Sequence, residues 1–179
     1  MKAEKPMLFT RLSDSQYQQL EESHSALLSY DEVSKTAFFL PGNAQVPVPV
    51  AVVTGGSSDL SVAREACRTL EFYGHEPVEI HDVGVAGLWR ITERLEELRD
   101  CKIIICIAGM DAALPTVLGG LVSAALIAVP TSVGYGMVKG GETALHSLLV
   151  SCAPGVTVTN IDNGYGAACA AIRILNSFG

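Results

Sequence analysis

The sequence predicts an α/β fold, a three-layer doubly wound parallel sheet of the flavodoxin or Rossmann type, built from five βα units. Short runs such as residues 48–54 and 101–109 are almost entirely apolar, which is typical of strands buried on both faces. Segments with apolar residues at helical spacing separate these runs. Hydrophobic residues make up 49% of the chain but aromatic residues only 6%, so aliphatic and small side chains must form the core. Strands that alternate with helices in this way form a parallel sheet covered on both faces.

The first βα unit is the clearest. Its β-branched strand stops at a glycine, and the helical segment 57–74 opens with Ser and Asp capping residues and closes at Gly74. The same pattern predicts four further strands, at 78–83, 101–109, 126–133 and 156–162, and four further helices, at 88–99, 114–125, 142–151 and 167–176.

The N-terminal quarter of the chain does not show this alternation of strands and helices. Residues 1–46 are mixed and polar, with a weak helical stretch at 14–30, and they end in a proline- and glycine-containing linker at 41–49. We therefore expect an N-terminal appendage and linker over 1–46 and one α/β domain over 47–179.

Charge and composition exclude several classes of function. The net charge is −7 and no Lys/Arg cluster is present, which argues against nucleic-acid and membrane-surface partners. Glycines and a serine interrupt the longest apolar run, so we expect neither a signal peptide nor a membrane span. The five cysteines are odd in number and scattered, which favours reduced thiols, a cytoplasmic location and no metal site.

Ligands of such a sheet bind beyond the carboxyl ends of its strands, so the five strand-to-helix loops are the candidate site. The first to fifth loops are residues 54–59, 81–89, 108–115, 132–142 and 160–167. In the first loop, glycines and serines directly precede the N-terminus of a helix, an arrangement that can bind phosphate. A turn capped by Ser or Asp explains the same residues equally well. The candidate binding residues in the loops are Gly56, Ser57, Ser58, Asp59, Asp82, Gly109, Gly134, Tyr135, Gly136, Asn160, Asp162 and Asn163.

The strongest candidate nucleophile is Cys152. His81 is the one histidine near these loops, and a strand-edge role explains it better than catalysis. Cys152 follows a predicted helix and precedes Ala-Pro-Gly, at a chain reversal where a thiol can be reached, although a buried helix-end cysteine is an equal alternative. A helix-to-strand turn lies at the opposite end of the sheet from the five loops. A catalytic Cys152 therefore requires a neighbouring subunit, and so a homo-oligomer.

Five segments of the chain contain the loops and the cysteine turn: TGGSSDLSVAREA, DVGVAGLWR, AGMDAALPTVLGGLV, AVPTSVGYG and SCAPGVTVTNIDNGYGA. Taken together, in this order and spacing, they resemble the carboxylase domain of the LarB family of nickel-pincer nucleotide cofactor biosynthesis. The resemblance covers about residues 48–175 and implies a PurE-like fold, with residues 1–46 a remnant of the family's N-terminal domain.

The resemblance implies a reaction, its substrates and two catalytic residues. LarB proteins add carbon dioxide to the pyridinium ring of nicotinic acid adenine dinucleotide and release AMP, giving pyridinium-3,5-biscarboxylic acid mononucleotide. The family's cysteine corresponds to Cys152 and its acidic residue in the third loop to Asp111. No cofactor is implied for the carboxylation, a need for Mg²⁺ in the hydrolysis stays open, and an octamer is the expected assembly.

The chain departs from the family pattern in its loops. Asp111-Ala112 stands where the family usually has Glu-Gly, Val150 stands where an Asn commonly precedes Ser-Cys, and the first loop is usually Gly-Thr-Ser-Asp. Two alternatives therefore remain. One is PurE-like carboxylate transfer on aminoimidazole ribotide, disfavoured because the loop histidines of PurE are missing; the other is a catalytically weakened nucleotide-binding homologue.

Overall fold

The computed structural model describes residues 5–44 and 48–177. Its strands are Met7–Phe9 (β1), Ser29–Asp31 (β2), Thr36–Phe39 (β3), Val50–Thr54 (β4), Val78–Ile80 (β5), Ile103–Ala108 (β6), Ala125–Pro130 (β7) and Thr157–Val158 (β8). Its α-helices are Asp14–Gln18 (α1), Glu22–Ser25 (α2), Leu60–Phe72 (α3), Leu88–Thr92 (α4), Leu95–Asp100 (α5), Ala113–Gly119 (α6), Glu142–Leu149 (α7) and Gly164–Asn176 (α8).

The main sheet confirms the predicted fold class. Its five strands are parallel and lie in the order β5-β4-β6-β7-β8. The chain moves from β4 to one neighbour, β5, and then crosses to the other neighbour, β6. This order places the topological switch point between β4 and β6, where ligands of open α/β sheets bind.

Alternate residues of the strands supply two separate cores. On one face Val52, Ile105 and their neighbours pack against α3 and α8. On the other face Val53, Ile104 and their neighbours pack against α4 to α7. All six residues of β6 are buried, as expected for a central strand with helices on both sides. The sheet is therefore the middle of three layers.

The element boundaries differ from the prediction where loops begin. Strands β5, β7 and β8 end earlier than predicted, because the polar residues that follow them turn away into the site loops. The helix predicted at 88–99 is two helices, interrupted where Arg94 leaves helical geometry (φ −105°, ψ 4°). The helix predicted at 114–125 ends at Gly119, where a second glycine follows.

The N-terminal segment forms a small antiparallel sheet, ordered β1-β3-β2, which the sequence analysis did not predict. It packs on α3: the Arg68 guanidinium donates to the Ser29 backbone carbonyl and lies 3.9 Å from the Phe38 ring centroid. Arg64 also pairs with Asp31 at 3.2 Å. The weak helical stretch is reduced to the short helices α1 and α2, and the predicted boundary at 46/47 falls outside the described residues.

In the two described ranges, no helix is long and apolar enough to cross a membrane.

Val52→Ala tests how much stability the sheet core provides. Val52 is fully buried in β4, and the substitution removes the equivalent of two buried methylenes and leaves a cavity, so we expect a loss of about 2 kcal/mol in the free energy of unfolding. Chemical denaturation measures this loss. The matched variant Val33→Ala, at a residue that is 51% exposed, should change the free energy by less than about 0.5 kcal/mol. Equal losses in the two variants would contradict the assigned core.

Candidate active site

A cavity of about 700 Å³ lies at the carboxyl edge of the main sheet, at the switch point between β4 and β6. The first four loops and the starts of the helices that follow them line it. The lining residues are Gly55, Gly56, Ser58, Asp59, Gly84, Val85, Ala86, Arg90, Ala108, Gly109, Met110, Asp111, Ala112, Ala113, Leu114, Val133, Tyr135, Met137, Val138 and Thr143. The position and size are those of a small-molecule site.

Asp59 joins two of the segments that form this cavity. Its carboxylate accepts a hydrogen bond from the Gly56 backbone N–H at 2.9 Å and another from the Thr131 hydroxyl at 2.7 Å. Asp59 is only 3% exposed, and burial raises the pKa of its carboxyl despite these two hydrogen bonds. Asp59 therefore ties the first loop to the end of β7, and both of its oxygens are occupied within the protein.

The third loop makes a tight bend that presents Asp111 to the cavity. A Cβ on Gly109 would lie 2.4 Å from the Val133 carbonyl oxygen, so only glycine fits there. Met110 (φ 60°) and Ala112 (φ 51°) both adopt the left-handed conformation, which non-glycine residues rarely adopt. Asp111, between them, is exposed, and its Oδ1 accepts from the Ala113 N–H at 3.3 Å. This is the carboxylate in the cavity that remains available to a ligand.

Arg90 is the only basic side chain among the described residues that line the cavity. Its guanidinium donates to the Asp82 carboxylate at 2.6 Å, and its guanidinium carbon would lie 3.3 Å from a Cβ at Gly87. Asp82 itself does not line the cavity; it orients Arg90. Sequence analysis did not select Arg90, although the DVGVAGLWR segment ends on it. A guanidinium beside exposed backbone N–H groups is a suitable anchor for a phosphate or carboxylate.

Large apolar side chains stand exposed at the mouth of the cavity. Tyr135 is 79% exposed, Met137 75% and Met110 41%, and all three line the cavity. Trp89 is also 63% exposed, one residue before Arg90. Single exposed apolar residues are ordinary on a protein surface, but a group of them around a cavity marks a site where a ligand or another protein binds. The mouth therefore offers surfaces for a flat ring or for a neighbouring subunit.

The structure brings together some of the predicted loop residues and separates others. Those that line the cavity are Gly56, Ser58, Asp59, Gly109, Asp111 and Tyr135, and those that do not are Ser57, Asp82, Gly134, Gly136, Asn160, Asp162 and Asn163. The fifth loop stands apart because its polar side chains bond to nearby backbone. Asp162 accepts from the Ser132 N–H, and Asn163 caps α8 by accepting from the Gly166 N–H, each at 2.8 Å.

Cys152 is exposed and lies in the turn between α7 and β8. This turn is at the amino edge of the parallel sheet, so Cys152 does not line the cavity of its own chain. Cys67, Cys101 and Cys106 are buried, and burial raises the pKa of each of these thiols. They are therefore core residues. The described residues hold no group of His, Cys, Asp and Glu arranged to bind a metal ion.

Comparisons with known proteins identify relatives of residues 49–178, which match a family model described as AIR carboxylase. An uncharacterized protein of Methanocaldococcus jannaschii is 45% identical over 66% of this chain; the chain spans 46% of that relative's length. The N5-carboxyaminoimidazole ribonucleotide mutase of the same organism is 34% identical, over 70% of this chain and 78% of the mutase. The crystal structure of Treponema denticola PurE aligns with a TM-score of 0.61 at 25% identity, covering 73% of this chain and 82% of PurE.

Asp59→Asn tests the buried carboxylate through the pH dependence of stability. The pKa of Asp59 is raised in the folded state, so the native protein binds its proton more tightly than the unfolded chain does. Ionisation of Asp59 therefore costs stability as the pH rises from the ordinary Asp value through the raised pKa. We expect the unfolding free energy of the wild type minus that of Asp59→Asn to fall across this interval, measured by urea denaturation at successive pH values.

Asp100→Asn, which removes an exposed carboxylate, is the control for the loss of a surface charge. A wild-type advantage over Asp59→Asn that grows with pH would contradict the assigned direction of the shift.

Proposed function

This chain belongs to the AIR carboxylase family, and we propose that within it the chain acts as a LarB-like synthase. The proposed reaction adds carbon dioxide to the pyridinium ring of nicotinic acid adenine dinucleotide through a transient cysteinyl adduct, and releases AMP. The observation that carries the proposal is the combination of an exposed thiol, Cys152, with a cavity that presents a free carboxylate, Asp111, and no histidine among its described lining residues.

The chemistry needs a thiolate because a pyridinium ring is too electron-poor to attack carbon dioxide. Addition of the Cys152 thiolate para to the ring nitrogen forms a C–S bond and turns the ring into an enamine. The enamine carbon meta to the nitrogen then attacks carbon dioxide and forms the new C–C bond. Asp111 removes the proton from that carbon, and the electrons of the broken C–H bond expel the thiolate and restore aromaticity. The thiolate is regenerated, so the sequence is catalytic without an oxidant or reductant.

The charges in the cavity suit a ligand that is positive at one end and negative at the other. Arg90 follows the second loop and Asp111 lies in the third, and these loops extend from β5 and β6 on either side of β4. Two strand spacings, about 10 Å in all, separate β5 from β6. A pyridinium ring beside Asp111 would leave its phosphates directed toward Arg90 and the glycine N–H groups of the first loop. Water attack on the phosphoanhydride at that end would release AMP.

The proposed mechanism requires an assembly of several chains. Cys152 and Asp111 of one chain lie at opposite edges of its sheet, so the thiol that reaches a given cavity must come from a neighbour. The exposed apolar residues at the cavity mouth provide a surface for such a neighbour. We propose a homo-oligomer, with an octamer as the expected state, and light scattering after size-exclusion chromatography measures it.

The second candidate function is carboxylate transfer on aminoimidazole ribonucleotide, which the names of several relatives favour. The fold and the position of the cavity agree with it. The lining residues disfavour it, because that reaction needs a proton carrier and none of the described lining residues is a histidine. The exposed cysteine would also have no role in it.

The deciding experiment incubates the purified protein with nicotinic acid adenine dinucleotide and ¹³C-bicarbonate, with and without Mg²⁺, and analyses the products by mass spectrometry. We expect a ¹³C-carboxylated pyridinium mononucleotide and one equivalent of AMP, and no ring carboxylation by Cys152→Ala. Carboxyaminoimidazole ribonucleotide, supplied separately, should not be converted. Conversion of that compound alone would support the second candidate. Binding of the dinucleotide without product would indicate a catalytically weakened homologue and would contradict the proposal.

A mixed-oligomer experiment tests whether the site is shared between chains. Cys152→Ala and Asp111→Asn, each expected to be inactive alone, are co-expressed with different affinity tags and the hybrid oligomers are purified. If each site takes Asp111 from one chain and Cys152 from another, random assembly makes about one quarter of the sites complete, so about a quarter of the wild-type rate should return. No recovery in hybrids of confirmed composition would show that both residues of a site come from one chain.

A further inference from the structure

We infer that helix α6 positions the Cys152 thiol, and that Thr116 and Gly119 on this helix are the residues that do so. Neither residue touches the cavity, and both contact the cysteine turn, defined here as residues 151–153. The catalytic consequence rests on the proposed function, whereas the structural part of the inference stands apart from it.

Thr116 anchors the residue before the cysteine. Its hydroxyl lies 2.7 Å from the Ser151 hydroxyl, in a partly buried hydrogen bond that joins residues 35 positions apart in the chain. The same Ser151 Oγ accepts a hydrogen bond from the Ala153 N–H at 3.2 Å. The Ser151 hydroxyl therefore connects α6 with the residues on both sides of Cys152. Without the Thr116 hydroxyl, Ser151 would no longer be bonded to the helix.

Gly119 anchors the residue after the cysteine. A Cβ built on Gly119 would lie 2.8 Å from the Ala153 Cβ and 3.4 Å from Cγ2 of Val156. The absence of a side chain at this position thus lets Ala153 pack directly on the backbone of α6. With Ser151 and Ala153 both held against the helix, the Cys152 between them is exposed, and the neighbouring Leu149 and Val150 are 64% and 81% exposed.

Helix α6 connects the loop that carries Asp111 with the cysteine turn. Helix α6 begins two residues after Asp111 at the carboxyl edge of the sheet and runs back toward the amino edge, where it meets the cysteine turn. Its seven residues span about 10 Å. A single short helix therefore joins the carboxylate of one cavity to the thiol proposed to serve the next, and a thiol displaced by about 1 Å loses a large part of its rate.

Thr116→Val and Thr116→Ser form the first test. Valine keeps the shape of the side chain and removes the hydroxyl, so we expect kcat for the carboxylation to fall between about tenfold and a hundredfold while KM for the dinucleotide stays within about twofold. Serine keeps the hydroxyl and should restore most of kcat. A loss that appears in KM alone, or that serine does not restore, would overturn the positioning role.

Gly119→Ala and Gly120→Ala form a matched pair that leaves every hydroxyl in place. Alanine at Gly119 must push Ala153 aside, so we expect the same selective loss of kcat. A Cβ at Gly120 would meet only the Val117 carbonyl oxygen at 3.5 Å, an ordinary contact, so kcat should not change. Because alanine favours helices, neither variant is expected to unfold the protein. Equal activities of the two variants would contradict the role of Gly119.

Hydrogen exchange separates a failure of this inference from a failure of the proposed function. Exchange at the Ala153 amide, followed by mass spectrometry of a peptide that spans the turn, should be faster in Thr116→Val than in the wild type and Thr116→Ser. An inactive wild-type protein that still shows this pattern would refute the proposed function but not the contacts. Unchanged exchange would refute the contacts, and faster exchange with an unchanged kcat would refute the catalytic consequence.

Discussion

The direction of the strands in a parallel sheet is the constraint on which the rest of the site depends. All strand-to-helix loops lie at one edge of the sheet and all helix-to-strand turns at the other. Asp111, after β6, and Cys152, before β8, are therefore held apart within one chain regardless of side-chain conformation. Any chemistry that combines them requires a second chain, so assembly is a condition of the proposed mechanism. The exposed apolar residues at the cavity mouth and beside Cys152 are consistent with surfaces that another chain covers.

Backbone geometry, more than side-chain chemistry, shapes the cavity. The third loop bends through two left-handed residues, and Gly109 approaches the neighbouring strand end more closely than any side chain would allow. Asp59 is buried to hold two loops together, which uses both of its oxygens and removes it from the list of free acids. Of the charged side chains that line the cavity, one carboxylate and one guanidinium held by Asp82 remain for a ligand, beside backbone N–H groups and the hydroxyls of Ser58, Tyr135 and Thr143. None of these groups is a strong nucleophile, so the proposed mechanism depends on the Cys152 thiol of a neighbouring chain.

The fold could be predicted from the sequence because strands buried on both faces and amphipathic helices leave clear periodic patterns. The ends of the elements were less predictable: residues 131–133 were assigned to the strand that precedes them, but they leave the sheet to form a loop. All five strand-to-helix loops were selected because strand direction places them at one edge of the sheet, and the first four line the cavity. Arg90 was missed because it lies in the next helix, past the loop, and its importance depends on the ion pair with Asp82. The fifth loop was also selected from strand direction, but Asp162 accepts from the Ser132 N–H of the fourth loop and Asn163 caps α8, which only coordinates can show.

The Asp111-Ala112 pair shows how a departure from the LarB pattern can change reach without changing the loop. Ala112 stands where LarB proteins usually have glycine; it is buried and left-handed, with φ 51°. The loop therefore keeps a glycine-like bend, at a cost of about 1–2 kcal/mol. The bend therefore survives, and the change that matters is at Asp111, whose carboxylate extends about 1.5 Å less than that of glutamate. In the proposed mechanism the covalent bond to Cys152 fixes the ring, so the distance from the ring to Asp111 depends on where the neighbouring cysteine turn lies. Under that mechanism, the contacts of Thr116 and Gly119 with that turn, distant from the cavity of their own chain, would set whether the shorter acid reaches the proton.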